Sequence, residues 1–194
     1  MFENLHKDFR RYCIIETGEE SPPLLRKIYT SIFAIGFHVT VIYRYGQWLY
    51  NSHRILNFLI PLFRLTYIFC KWLVEKMYDI QIDCSATIGS GLYIGHFGGI
   101  KIRNCMVGNN FSIHQHVKIN ESQEPENKRP LTIGDNVWVG PHAHIIGPIS
   151  ISSHATISAG ANVNKDIPSN CLVAGAPARI INKNFNNIEL LACE

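Results

Sequence analysis

The chain has no run of basic residues, no C-x-x-C pair, no zinc-finger spacing and no phosphate-binding fingerprint of the P-loop or dinucleotide kind. Its formal charge is only +3 over 194 residues, too little to argue for a nucleic-acid partner. It also lacks a clean stretch of about 20 apolar residues, the length that crosses a bilayer. Residues 28–43 are interrupted by Thr30, Ser31, His38 and Thr40, and residues 55–74 by Asn57, Arg64, Thr66 and Lys71. No secretory signal precedes the six cysteines (Cys13, Cys70, Cys84, Cys105, Cys171 and Cys193), so they are expected as reduced thiols in a cytoplasmic protein.

What the chain does have is a beat. Ile133, Val139, Ile145, Ile151, Ile157 and Val163 recur every six residues, most followed by a small or polar residue. The same beat runs through Ile88, Ile94 and Ile100, slips by one residue, and resumes at Val107, Ile113 and Ile119. The fourth residue after an anchor is usually small or aliphatic, as at Val117, Val137, Ala143, Ile149, Ala155 and Ala161. A helix turning about 100° per residue would carry a six-residue anchor around its surface. Short strands with a turn every six residues keep it on one side, and three of them close one coil of a triangular solenoid.

The segments ATIGSGLYIGHFGGIKI, NNFSIHQHVKI, TIGDNVWVGPHAHIIGPISI, SAGANVNKDIP and VAGAPARII together resemble the hexapeptide-repeat acyltransferases, and within them the serine acetyltransferases and their polysaccharide-modifying relatives. VIYRYGQWLYN, upstream, resembles the helical segment of the serine acetyltransferases. The resemblance implies a mainly β fold, a left-handed parallel β-helix with an N-terminal α-helical region. The expected division is a helical region over 1–80, the β-helix over 81–180 with a loop at 120–132, and a tail over 181–194. The helices are expected to cap the solenoid and make oligomer contacts, or to hold the protein near a lipid-linked substrate at the membrane's inner face.

The resemblance also implies an active site between subunits of a homotrimer, walled by the loop and supplied with acetyl-CoA as co-substrate, with no metal. His96, in YIGHFGGI, matches the catalytic histidine by position. The chemistry agrees, because a neutral hydroxyl is a poor nucleophile and imidazole, with a pKa of about 6.5, is suited to take its proton. His114, one coil on, is a second catalytic candidate that could orient His96. Gln115, His116 and Arg129 are candidates for holding the acceptor. Backbone amides near the glycine corner or the Trp138 coil could stabilise an oxyanion. For the donor, Gly140, Ala143, Ala159, Gly160 and Ala161 would leave room for a pantetheine arm, and Lys165, Arg179 and Lys183 could meet nucleotide phosphates.

Around His96 the chain departs from the serine acetyltransferases. Gly95 stands where they have an aspartate, Arg129 where they have a second histidine, and Ser21 and Gln81 where they have aspartates that recognise the serine ammonium. An ammonium bound without carboxylates is poorly compensated for its lost hydration. The expected acceptor is therefore a sugar hydroxyl in surface polysaccharide or glycoconjugate synthesis, with serine as the alternative. A further alternative is a non-catalytic or carbonic anhydrase-like solenoid using His142 and His144; His154 is expected on the surface.

Overall fold

The computed structural model describes residues 2–51, 60–120 and 130–192. Four helices lead: α1 (Phe2–Thr17), α2 (Leu24–Phe33), α3 (Ile35–Asn51) and α4 (Ile60–Tyr78). From Ile80 onward the chain is a parallel β-helix with three faces. One face stacks Ile80–Ile82, Ile100–Ile102, Lys118–Ile119, His144–Ile145 and Asn162–Val163. The second stacks Thr87–Ile88, Cys105–Val107, Leu131–Ile133 and Ser150–Ile151. The third stacks Tyr93–Ile94, Ser112–Ile113, Trp138–Val139, Thr156–Ile157 and Leu172–Ala174, and Arg179–Asn182 closes it with an antiparallel pairing. A short helix, α5 (Ile188–Ala192), follows.

The anchors stack as the beat requires: Ile94 pairs with Ile113, Ile113 with Val139, and Ile157 with both Val139 and Val173. Their side chains are buried, and each buried aliphatic is worth about 1.5–3 kcal/mol relative to exposure. The small residues four places on, Ala143, Ala155 and Ala161 among them, are wholly buried and fill the interior of the coil at its corners. Register departs from the simple beat at one place. The residue that stacks on Ile119 is Ile102, not Ile100, which pairs with Ile80. The extra residues between Ile94 and Ile102 lie in the corner Gly95–Gly99, which carries His96.

At the end of the stack the first coil would present unpaired backbone groups, and the helices satisfy them. Asp8 of α1 and Arg44 of α3 form a buried pair at 2.8 Å. Asp8 accepts from the Gly91 and Leu92 amides at 2.6 and 2.9 Å, while Arg44 donates to the Ile88 carbonyl at 2.7 Å and to that of Gly89. The Ile94 amide donates to the Tyr12 hydroxyl at 2.8 Å, and the Tyr43 hydroxyl donates to the Ala86 carbonyl at 2.8 Å. Burial pushes the Tyr12 phenol upward and that of Tyr43 up to about 12, so both remain neutral. The helical region is thus welded to the β-helix rather than laid over it.

Other helix faces stay open, with Leu24, Leu25, Ile28 and Ile32 on α2 and Leu65, Phe69 and Trp72 on α4 exposed. Among the described residues no single helix is long and apolar enough to cross a membrane, although α2 and α3, bent by 75°, meet that measure together.

Candidate active site

His96 projects from the long corner and is exposed, with the buried strand Tyr93–Ile94 on one side and Gly98–Gly99 on the other. Both glycines have positive φ, 107° and 65°, which a side chain would resist. The backbone on either side is fixed by the neighbouring coil: the Gly95 amide donates to the Ile113 carbonyl at 2.9 Å, and the His116 amide donates to the Gly98 carbonyl at 2.7 Å. A mobile-looking sequence of small residues is therefore held as a rigid corner.

His114 is brought to His96 as expected. The two rings lie 6.5 Å apart and nearly parallel, and His114 is buried beneath, with its ring 4.8 Å from that of Trp138. His114 Nδ1 is 2.7 Å from the Val139 carbonyl, which can only accept, so Nδ1 carries a proton and Nε2 is the other ring nitrogen. That nitrogen lies beside Gly95. A Cβ on Gly95 would sit 3.0 Å from His114 Cδ2 and Nε2, so a side chain at 95 and an imidazole at 114 compete for one space. This gives a physical reason for the missing aspartate.

Gln115 is half-buried beside the same corner, and its Oε1 is buried without a hydrogen-bond partner among the described residues. His116 also borders the corner, since a Cβ on Gly99 would collide with its Nδ1. It occupies a left-handed corner at φ 59°, and its ring stacks on that of His142 at 4.6 Å. His142 and His154 sit at the same kind of corner, at φ 59° and 61°, where Asn110, Asn136 and Asn170 also stand. Asn and His tolerate this conformation better than most residues, so corner geometry accounts for these three histidines. Among the described residues no group of three metal-ligating side chains comes together. Arg129 lies outside the described residues, as does most of the expected loop.

The residues expected to accommodate the donor divide in two. Ala143 and Ala161 are wholly buried, so their methyl groups serve the coil interior and do not line a groove. Gly140 is buried too, and a Cβ there would meet the Ala159 amide nitrogen at 2.7 Å, which makes it a coil-packing position. Ala159, Gly160, Lys165, Arg179 and Lys183 are exposed on the later coils.

A cleft of about 590 Å³ opens between the helices and the His96 corner, and no sequence signal marked it. Gly95 and Phe97, the neighbours of His96, form one wall. The lining also includes Glu16 from α1, together with Arg26 and Thr30 from α2. Arg26 Nη1 donates to Glu19 Oε1 at 2.6 Å in an exposed pair. Thr30 is 2% exposed, and its hydroxyl has no hydrogen-bond partner among the described residues. Phe97 is held in turn by an edge contact to Tyr78, with ring centroids 5.8 Å apart. A base at an exposed corner, a second imidazole beneath it and a charged cleft alongside form a site suited to proton removal from a small polar substrate.

Residues 130–165 match the bacterial transferase hexapeptide family of six repeats. The chain is 32% identical over 192 residues to the serine acetyltransferase of Synechococcus elongatus, covering 98% of this chain and 73% of that one. It is 31% identical over 173 residues to the serine acetyltransferase of Escherichia coli K12, covering 88% of this chain but only 60% of the relative's length. Among solved structures, serine acetyltransferase from Neisseria gonorrhoeae superposes with a TM-score of 0.73 at 25% identity, covering 95% of this chain and 68% of that one. Soybean serine acetyltransferase complexed with serine gives 0.74 at 25% identity, covering 92% and 68%.

Proposed function

The chain belongs to the serine acetyltransferase family, acyltransferases that use acetyl-CoA, and from that premise we propose that it transfers acetyl to the hydroxyl of L-serine. The observation that carries the reading is His96, set at an exposed corner beside a cleft that is open to a small acceptor. His96 takes the proton from the acceptor hydroxyl as its oxygen attacks the thioester carbonyl. The tetrahedral intermediate then expels the thiolate, which recovers the proton from the imidazolium, and no acyl-enzyme forms. His114, held by the Val139 carbonyl, is the positioning residue beneath it. The donor would lie along the later coils, with Ala159 and Gly160 beside the pantetheine arm and Lys165 and Arg179 near the phosphates. A homotrimer with the site shared between subunits is part of the same proposal.

This reading replaces the sugar acceptor expected from the sequence. Serine is supported by likeness over nearly the whole chain, whereas the sugar reading rested on the carboxylates missing at Ser21, Gln81 and Gly95, on Arg129 in place of a histidine and on likeness to the polysaccharide-modifying relatives. A carboxylate on another element can serve the same substrate. A sugar hydroxyl remains the second reading, favoured by the size of the cleft, which lies within the range of about 300–1,000 Å³ used for larger ligands. Thiol release from acetyl-CoA, measured with L-serine against a panel of sugars, tests the choice. Serine turnover well above every sugar supports the proposal, and the reverse order overturns it.

A further inference from the structure

If serine is the acceptor, its ammonium needs a carboxylate, and the positions where the sequence suggested one hold Ser21, Gln81 and Gly95. We infer that Glu16 and Arg26 supply the missing recognition, Glu16 taking the α-ammonium and Arg26 the α-carboxylate of a free amino acid whose hydroxyl faces His96. The inference rests on the serine reading above.

Glu16 is the acidic residue lining the cleft and Arg26 the basic one, in a lining that also includes Gly95 and Phe97. One charge of each sign matches a zwitterion and gives a neutral polyol no particular advantage. Glu16 makes no ion pair among the described residues. Arg26 is paired with Glu19, but both groups are about half exposed, and such a pair is weak enough for a substrate carboxylate to displace it. Arginine also suits the task because its planar fork can grip a carboxylate through two N–H groups. Thr30 lines the same cleft, its hydroxyl buried and without a hydrogen-bond partner among the described residues. Glu16 was missed in the sequence because it lies 80 residues before His96, in a helix that shows no motif.

The test uses the full chain, a thiol-release assay and three acceptors: L-serine, 3-hydroxypropionate without the ammonium, and ethanolamine without the carboxylate. Glu16→Gln should raise KM for serine by about tenfold or more, leave kcat within about threefold, and leave KM for acetyl-CoA unchanged, as expected for loss of a charged hydrogen bond in binding. The same variant should not weaken use of 3-hydroxypropionate, which has no ammonium to lose. Arg26→Ala should penalise serine and 3-hydroxypropionate but spare ethanolamine, and Arg26→Lys should recover part of the loss. Thermal melting of each variant separates this pattern from misfolding, which would weaken all three acceptors together. Serine turnover by the parent chain with unchanged KM in Glu16→Gln would overturn the clamp while leaving the serine reading standing. Turnover of sugars but not serine by the parent chain would overturn the reading itself.

Discussion

Replacing Asp8 with alanine removes the acidic half of the buried pair that joins α1, α3 and the first coil. Asp8 is wholly buried, and its two oxygens accept from Arg44 at 2.8 and 3.2 Å and from the Gly91 and Leu92 amides. Alanine would leave a guanidinium stranded at 4% exposure, and breaking a buried pair from one side costs about 3–5 kcal/mol. Two backbone amides would lose their acceptor as well, at about 1–3 kcal/mol each if no water reaches them. The Arg44 bonds to the Ile88 and Gly89 carbonyls survive and temper the sum, so a loss of about 4 kcal/mol is expected against a typical total of about 5–15 kcal/mol. For a chain of this length that is a fall of about 8–16 °C in Tm, measurable by circular dichroism or calorimetry. The double variant Asp8→Leu with Arg44→Met removes both charges and should recover much of the loss, because no charge is then left buried alone. A fall below about 2 °C for Asp8→Ala would refute the reasoning, and would mean that water or another group compensates Arg44.

Other outcomes follow from the same geometry. His96→Ala should lower kcat by about 10²-fold or more with acetyl-CoA binding largely intact, read from steady-state kinetics and a coenzyme A titration. Gly95→Asp should cost about 1–3 kcal/mol in denaturant unfolding through its clash with His114, and His114→Ala in the same chain should relieve it. Stability should fall at high pH: burial holds the Tyr43 phenol up to about 12 from its usual 10, and the Cys105 thiol up to about 12 from 9. Each folded form binds its proton more tightly than the unfolded chain, so the stability is intact below about pH 9. It should then drain as pH rises toward 12, at about 1.4 kcal/mol per pH unit for each group past its unfolded value; a flat melting temperature from pH 9 to 11 would contradict this. Deleting residues 22–77 should unfold the protein rather than release a β-helix, since it removes Arg44 and Tyr43 from the first coil; a folded β-rich remnant on circular dichroism would contradict it.

The coils were legible because a six-residue beat admits few other structures, and Ile133 through Val163 stack as spaced. The beat misplaced one anchor, choosing Ile100 over Ile102, because hydrophobic spacing cannot distinguish an added corner residue from a shifted strand. Coil length placed Gln115 roughly in stack beneath His96, and its neighbour His114 brings its ring to 6.5 Å from that of His96. The small residues after Trp138 were misread in part, since Ala143 and Ala161 are small for the interior rather than for a ligand. His116 and His142 attract attention as possible ligands, yet their recurrence at asparagine-type corners has a backbone cause. What composition and spacing could not reveal was contact between distant segments. The Asp8–Arg44 pair and the approach of Glu16 to the Gly95 corner depend on how α1 and α3 dock, and no local pattern records that docking.

The most direct measurement is product identification by mass spectrometry and NMR after incubating the purified chain with acetyl-CoA and L-serine, with His96→Ala run in parallel. The account predicts O-acetylserine forming in step with thiol release, and its rate falling by about 10²-fold or more in the variant. Absence of O-acetylserine from the parent reaction, or equal formation by parent and variant, would contradict it.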